Sequence, residues 1–521
     1  MATMTAPDSG VKVRMYRTGN GDCFLLCFRG DDGKPVYMLI DCGYYHGSQH
    51  IEGEDGVTRE NDIRDVVDHI SESTDGQLHV VLITHEHMDH VNGFAKKTRA
   101  SGDGDARHFD SIDVDKLWLA WTEDPDDEDA NDLREEFNDK LLGLLAAEEQ
   151  LSALHDSTGS GYAGRVRDLL GFAVGEDMSA ARTEIFSSDG MTNKRAIKYV
   201  KDKARSNKPL YLKPEKRDGY FIPNVNGVRV YALGPPRDEE LLARSLDPKD
   251  GEGYSTGGNH SARNPIANSA ERSFLSAALA ASSLRGALGP QDPSRPFAAR
   301  DSILVEEALN AADSDFYSTY HHPEADRDDN AWRRIDHDWL FSAEQLALRL
   351  DDEVNNTSLV VAIELPNTKQ VLLFVGDAQR GSWVSWDDQT WVDENDNEIT
   401  ARDLLGRTVL YKVGHHGSHN ATLNGGANSD YPNLNWMARG DYRDSFVAMI
   451  TANEKWANEK QGWPHPLEAI KTALMGKAKG RVFQTDVDHV ERSSHLTDEE
   501  WEEFDDASTE TRLYFEYTIK D

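Results

Sequence analysis

Residues 78–90 read LHVVLITHEHMDH, an apolar run that leads directly into three histidines and two acidic residues. The apolar part has the length and the β-branched content of a buried strand. Side chains alternate along an extended chain, so His85 and His87 point the same way, and a turn near Asp89 can bring its carboxylate and His90 beside them. Neutral imidazoles and carboxylates are typical ligands of zinc and similar divalent ions. The segment therefore predicts a metal site at the end of a strand.

This motif resembles the metal-binding signature of the metallo-β-lactamase fold, and three further segments support the resemblance. Residues 18–43 resemble the opening hairpin of that superfamily, and GDA at 376–378 resembles the strand end that carries the metal-bridging aspartate. KVGHHGS at 412–418 resembles the strand that delivers the last histidine ligand. These last two segments are most similar to the ComEC-type branch, where they belong to the soluble hydrolase domain of the competence DNA-uptake protein.

The resemblance implies an α/β protein, a metallo-β-lactamase αββα sandwich with two mainly helical insertions. The predicted parts are the first half of the core at 1–100, an acidic and basic, mainly helical insertion at 101–225, a core strand at 226–236, a second insertion with flexible loops at 237–350, and the second half of the core, with the metal-binding Asp and His, at 351–521. Apolar runs predict strands near 11–16, 23–28, 36–40, 78–83, 228–233, 358–364, 371–375, 408–413, 446–450 and 513–519.

The resemblance also implies two divalent metal ions per chain, zinc or manganese. It assigns His85, His87 and Asp377 to the first ion, and Asp89, His90, Asp377 and His415 to the second. A metal-bridging hydroxide would attack the substrate, so Asp89 and Asp377 are expected to be catalytic as well as ligating. Many superfamily members place a further histidine upstream of the bridging aspartate, but residues 354–358 read VNNTS, which leaves the first ion an open position.

Three further assignments have two interpretations each. Either His415 or His416 can be the last ligand, and analogy with single-histidine relatives favours His415, which leaves His416 to orient a ligand or touch the substrate. We expect Asp41 to hydrogen-bond a ligand histidine, although it could simply cap its strand. His465 lies between two prolines and is our candidate for serving the leaving group with a proton or a charge partner, the alternative being a surface histidine in a turn.

Charge limits the range of partners. The chain has 521 residues, of which 56 are basic and 93 acidic, giving a net charge of −37 that repels nucleic acid at long range. One basic segment, from Lys194 to Arg217, could contact an anionic phosphoester substrate or nucleic acid, or could instead pair with the protein's own carboxylates. The acidic parts of the insertions are candidate sites for a protein partner. The chain has no long apolar run and no export signal at its start, so we expect a cytoplasmic protein without a membrane helix.

Together these features predict a metal-dependent hydrolase of phosphoesters. The ComEC resemblance favours a phosphodiesterase or nuclease. One alternative is a hydrolase of a small ester or nucleotide-type substrate, and another is an interaction or regulatory protein whose metals are structural. An open coordination position favours catalysis over a structural role, because structural sites are closed by protein ligands.

Overall fold

The computed structural model describes residues 3–97, 106–153, 157–174, 192–206, 208–243, 252–254 and 343–521. The structure is mixed α/β. Two large sheets face each other across one apolar core, and helices pack on the outer face of each sheet.

The first sheet has eight strands and contains the amino-terminal hairpin. They are β1 (Val11–Tyr16), β2 (Phe24–Arg29), β3 (Pro35–Ile40), β6 (Gln77–Leu82), β7 (Asp113–Ala120), β8 (Leu210–Leu212), β18 (Ser508–Glu510) and β19 (Tyr514–Ile519). Their order is β18-β19-β1-β2-β3-β6-β7-β8. Neighbours from β3 to β8 are parallel and the other neighbours are antiparallel.

The second sheet has seven strands and repeats this division. They are β9 (Tyr220–Phe221), β10 (Arg229–Gly234), β11 (Val360–Glu364), β12 (Val371–Phe374), β15 (Thr408–Lys412), β16 (Val447–Ile450) and β17 (Val482–Gln484). In the order β17-β16-β15-β12-β11-β10-β9, neighbours from β17 to β12 are parallel and the rest antiparallel. Two small hairpins are separate, β4 (His50–Glu52) with β5 (Thr58–Glu60), and β13 (Thr390–Val392) with β14 (Glu398–Thr400).

Side chains alternate along a strand, so one strand contributes residues both to the core between the sheets and to the layer under the helices. In β2, Phe24 and Leu26 lie in the core between the sheets, whereas Leu25 lies in the apolar layer under the helices. Phe24 meets Phe374 of the second sheet edge to face, with ring centroids 5.5 Å apart. Strands covered on both faces read as continuous apolar runs, which is why the sequence pattern located them.

The helices supply the outer layers. They are α1 (Ile63–Thr74), α2 (Met88–Ala95), α3 (Glu128–Ala153), α4 (Ser157–Val174), α5 (Thr192–Lys203), α6 (Glu239–Ala243), α7 (Ala343–Asn356), α8 (Arg380–Ser385), α9 (Ala401–Gly406), α10 (Glu454–Trp456), α11 (Glu468–Lys477) and α12 (Asp498–Ala507). Apolar residues of α1, α2 and α5 pack on the first sheet, and those of α8, α9 and α11 pack on the second. None of the helices in the described part of the chain combines the length and hydrophobicity that crossing a membrane requires.

The predicted strands are confirmed, each within two residues of its expected ends, but the division into core and insertions needs a correction. Segment 101–225 contains β7, β8 and β9 in addition to its helices, and β7 is an inner strand of the first sheet. Its polar, partly exposed start, DVDK, hid the buried half that follows. Of segment 237–350, most lies outside the described residues, including all of the loop expected from its composition at 289–296 and all but residues 252–254 of the one expected at 250–269.

Candidate metal centre

The histidine motif lies where β6 passes into α2. His85 and His87 follow the strand, His87 occupies the position before the first helical residue, and Asp89 and His90 lie in the first turn of α2. All four side chains are buried. Gly43 packs against this turn so closely that a Cβ atom there would lie 2.3 Å from the backbone carbon of Asp89. The turn after β3 and the start of α2 are therefore fixed against each other.

Asp41, at the end of β3, orients His90. Its Oδ2 accepts a hydrogen bond of 2.8 Å from His90 Nδ1, and its two oxygens also accept bonds from the backbone N–H and the hydroxyl of Thr84, at 2.8 and 2.6 Å. Burial raises the pKa of Asp41, and the ring of His90 opposes that shift. The structure thus has the contact expected for Asp41, and it leaves His90 Nε2 as the atom that faces the site.

Asp377 follows β12 and lies between two histidines. Its Oδ2 is 3.2 Å from His90 Nε2 and 3.5 Å from His416 Nε2. Its backbone N–H donates to Ser358 Oγ at 3.0 Å, which fixes the turn that carries it. Burial alone would raise the pKa of the Asp377 carboxyl, but His90, His416 and Lys412 outweigh burial and hold the pKa well below its usual range.

His416, rather than the favoured His415, belongs to the group of donors around Asp377. His416 Nδ1 donates to the carbonyl of Thr451 at 2.7 Å, and this bond directs Nε2 to within 2.9 Å of Asp89 Oδ2. Both histidines lie in a tight turn with positive φ, 44° and 53°, so their rings diverge, with centroids 6.0 Å apart. His415 lies instead beside His465, at 5.6 Å between ring centroids. A sequence of two adjacent histidines cannot reveal which ring turns inward.

A buried lysine completes this side of the centre, and the sequence analysis did not identify it as a site residue. Lys412 Nζ lies 2.5 Å from Asp22 Oδ2, 3.3 Å from Asp377 Oδ1 and 2.8 Å from the carbonyl of Gly376. Asp22 Oδ1 accepts a bond of 2.7 Å from Thr451 Oγ1, so the network returns to the residue that holds His416. The sequence does contain a signal for this role. Lys412 is the one charged residue of the apolar strand β15, and a buried lysine is almost always paired with an acidic group.

The side of the centre that faces His85 and His87 has different partners. His85 Nδ1 lies 3.1 Å from Thr84 Oγ1 and 3.2 Å from Ser358 Oγ. The rings of His85 and His87 are 4.8 Å apart between centroids, and those of His85 and His90 are 4.1 Å apart. Burial lowers the pKa of His85 well below its ordinary value and lowers that of His87 to about 4, so both rings are neutral at pH 7.

These residues fit a divalent metal ion. One donor atom from each of Asp89, His90, Asp377 and His416 lies within 4.8 Å of the others, and all four residues are buried. Within the described residues, His85 Nε2 and Asp89 Oδ1 are buried without a hydrogen-bond partner, which is costly unless an ion or water occupies the space they face. Imidazole nitrogen and carboxylate oxygen are donors that zinc and manganese accept. The buried cluster can therefore hold a metal ion.

His465 lies at the rim of the centre. Its ring lies tilted beside that of Trp463, with centroids 5.8 Å apart, and meets that of His415 edge to face at 5.6 Å. Its Nδ1 has no hydrogen-bond partner among the described residues. Burial lowers the pKa of His465 well below its ordinary value, so the ring is neutral at pH 7.

The basic segment from Lys194 to Arg217 is largely neutralised by the protein's own carboxylates. Its cations form ion pairs chiefly with the acidic stretch at 123–127 and with neighbouring strands: Lys201–Glu123 (3.6 Å), Arg205–Asp113 (2.7 Å), Lys208–Asp126 (3.1 Å), Lys213–Asp127 (3.0 Å) and Arg217–Glu398 (3.4 Å). Tyr199 donates its hydroxyl to Asp110. Most cations of the basic segment are therefore paired within the protein, and so are several carboxylates of the acidic stretch.

No protein-family model, curated protein or solved structure matches this chain in comparisons of all three kinds. The interpretation of the site thus depends on its donor atoms, their burial and their geometry.

Proposed function

We propose that this protein is a metal-dependent hydrolase of the metallo-β-lactamase fold that holds two divalent ions and cleaves phosphoesters, in particular phosphodiesters. One observation carries the proposal. Asp89, His90, Asp377 and His416 converge from three separate segments on one buried point, next to His85 and His87. Burying six such side chains together at strand ends destabilises the fold unless metal ions bind to them.

The architecture supports the family assignment. Two mixed sheets with helices on their outer faces are the arrangement that the resemblance implied, and the centre lies at the carboxyl ends of β3, β6, β12, β15 and β16. Strand ends of this kind are common places for ligand sites, since several loops meet there. The segments that carried the resemblance thus lie around one site.

Two ions would share Asp377 as a ligand. The second ion would take Asp89, His90, Asp377 and His416, so His416 replaces His415 in the expected set. The first ion would take His85, His87 and Asp377. When bound, two such ions supply Lewis acidity and an activated water.

The chain's own groups position these donors and the substrate. Asp41 and Thr451 fix the rings of His90 and His416, and Lys412 holds the outer oxygen of Asp377. His465, neutral at pH 7, would donate or accept a hydrogen bond at the leaving group instead of acting as an imidazolium acid. The phosphodiester preference rests on the ComEC resemblance, because the paired cations of the basic segment add little attraction for a polyanion.

Hydrolysis of bis-p-nitrophenyl phosphate by protein reconstituted with Mn²⁺ or Zn²⁺ tests the proposal. We expect metal-dependent turnover that falls about a thousandfold or more in Asp377→Asn, since loss of the shared ligand removes several kcal/mol of transition-state stabilisation. Asp388→Asn is the matched control, because Asp388 is an exposed aspartate eleven residues on in the same segment. Turnover of the metal-loaded Asp377→Asn protein at the wild-type rate, or none in metal-loaded wild-type protein, would contradict the proposal.

A further inference from the structure

The His85–His87 side of the candidate metal centre has fewer protein donors than the other side. Many superfamily members place a histidine upstream of the bridging aspartate, and the corresponding residues here, before β11, are Val354, Asn355 and Asn356. These residues form the end of α7, so the helix ends beside the centre.

A different residue of α7 approaches the site. Asp351 Oδ1 lies 3.6 Å from His87 Nε2, in a pair whose side chains are 15% and 2% exposed. One turn later on the same helix face, Asn355 Nδ2 donates to Asp351 Oδ2 at 3.2 Å. The second oxygen is therefore fixed by the helix, and the first is directed at the histidine.

The separation matches two ligands of one ion. Hydrogen bonds between nitrogen and oxygen measure about 2.7–3.2 Å, so 3.6 Å is too long for a direct bond. Two donors each about 2.1 Å from a tetrahedral ion are about 3.4 Å apart. Two pairs already placed in the centre have a similar spacing, 3.2 Å from His90 Nε2 and 3.5 Å from His416 Nε2 to Asp377 Oδ2, whereas His416 Nε2 and Asp89 Oδ2 lie closer, at 2.9 Å.

We propose that Asp351 is a ligand of the first metal ion and takes the place of the missing histidine, an inference that rests on the proposed two-ion function. The first ion is then bound by two imidazoles, His85 and His87, and two carboxylates, Asp351 and Asp377. Exchanging an imidazole for a carboxylate makes the site harder, which favours manganese over zinc relative to a three-histidine site.

The helix that carries Asp351 is itself held by the helices inserted after β7. Glu353 Oε2 lies 2.8 Å from Lys140 Nζ of α3, and both side chains are 13% exposed. The inserted helices therefore position a ligand of the first ion, which gives this part of the chain a role in metal binding.

Metal binding by the purified, chelator-stripped protein tests this inference, with bound ions counted by mass spectrometry and dissociation constants measured by calorimetry. We expect two Mn²⁺ ions per wild-type chain, and in Asp351→Asn one retained ion and a second whose affinity falls about tenfold or more. Asp388→Asn is the control, since it removes one negative charge from an exposed aspartate that belongs to neither donor set, and it should keep two ions. Asp351→His should keep two ions and shift the preference towards Zn²⁺.

Two wild-type ions in Asp351→Asn at unchanged affinity would overturn the inference, as would equal loss of an ion in Asp388→Asn or fewer than two ions in the wild type. If circular dichroism shows that Asp351→Asn does not fold, Asp351→His decides, and an unchanged ratio of Zn²⁺ to Mn²⁺ affinity overturns the inference. Phosphodiester turnover is measured separately. A two-ion protein that cleaves no phosphodiester contradicts the proposed function and leaves the assignment of Asp351 standing.

Discussion

The two sides of the metal centre differ in what holds their donors in place. On the side of Asp89, His90 and His416, the donors are oriented by buried partners that belong to the sheets, including Asp41 and Lys412. On the side of His85 and His87, the proposed additional donor, Asp351, lies on a helix outside the sheets. Preorganised donors lose less entropy on binding, so the two ions should bind with unequal affinity, the second more tightly than the first.

The largest effect expected is on stability, from the lysine that holds the preorganised side. Lys412→Met leaves the buried carboxylates of Asp22 and Asp377 without their cation, which should lower the free energy of unfolding by about 3–5 kcal/mol. Urea denaturation of the metal-free protein measures this loss, and added Mn²⁺ should restore part of it. Lys116→Met, which changes an exposed lysine in the first half of β7, is the control and should change stability by at most about 0.5 kcal/mol. A metal-free Lys412→Met protein as stable as wild type would show that the network is not needed.

The next effect separates the two adjacent histidines. His416→Ala removes a ligand and should weaken the tighter ion by about a hundredfold or more, a larger loss than that from removing a residue behind a ligand. His415→Ala should keep both ions, because its ring lies against His465 instead. Calorimetric titration with Mn²⁺ distinguishes the two variants. A greater loss of affinity in His415→Ala would reverse the assignment.

A smaller effect is expected from the residue behind His90. Asp41→Asn removes the charged acceptor of the His90 Nδ1 proton and should weaken the tighter ion by about 10- to 100-fold without removing a ligand. Asp75→Asn is the control, because Asp75 also has a positive φ, 53°, but is exposed at the end of α1. Equal Mn²⁺ affinity in Asp41→Asn and wild type would reduce Asp41 to a strand cap.

The smallest effect concerns the protons that are released when a metal ion binds, and it should differ between the two sides of the centre. Burial disfavours the charged forms of His90 and His416, but the surrounding carboxylates, above all Asp377, outweigh burial and raise both pKa values. An ion on this side must displace protons, so its affinity should rise with pH, by about tenfold per unit for each proton released. His85 and His87, whose pKa values are lowered, should release none at pH 7. Titration in buffers of different ionisation enthalpy counts the protons, and equal release on binding of the first and second ions would contradict this difference.

The same pKa shifts make the stability of the metal-free protein depend on pH. Groups whose pKa is raised on folding stabilise the fold below the ordinary histidine value of 6.5, and this contribution disappears as the pH rises through the raised pKa. Groups whose pKa is lowered act in the opposite direction. His87 therefore contributes above pH 6.5, and its contribution is lost as the pH falls towards about 4.

Apolar runs predicted the strands because both faces of these sheets are covered. β7 was missed because its first residues are polar and exposed. β8 and β9 were missed because strands of two or three residues are too short to show an alternating pattern. The assignment of segment 101–225 to an insertion failed for the same reason. Short strands are recognised from their neighbours in the sheet, which a sequence does not give.

Most of the candidate centre followed from local patterns, since His85 to His90 form one segment and Asp377 ends a strand. Three features depended on tertiary structure. The choice of His416 follows from a bond to Thr451, 35 residues away, and the role of Lys412 follows from its contact with Asp22, 390 residues away. The approach of Asp351 to His87 follows from the packing of α7 beside the site.

The central claim is that two ions flank Asp377. Anomalous diffraction from crystals soaked in Mn²⁺ tests it most directly, because it locates metal without relying on activity. We expect two anomalous peaks, one among Asp89, His90 and His416 and the other among His85, His87 and Asp351, with Asp377 between them. A single peak beside Asp377 in fully soaked crystals, or none, would contradict it.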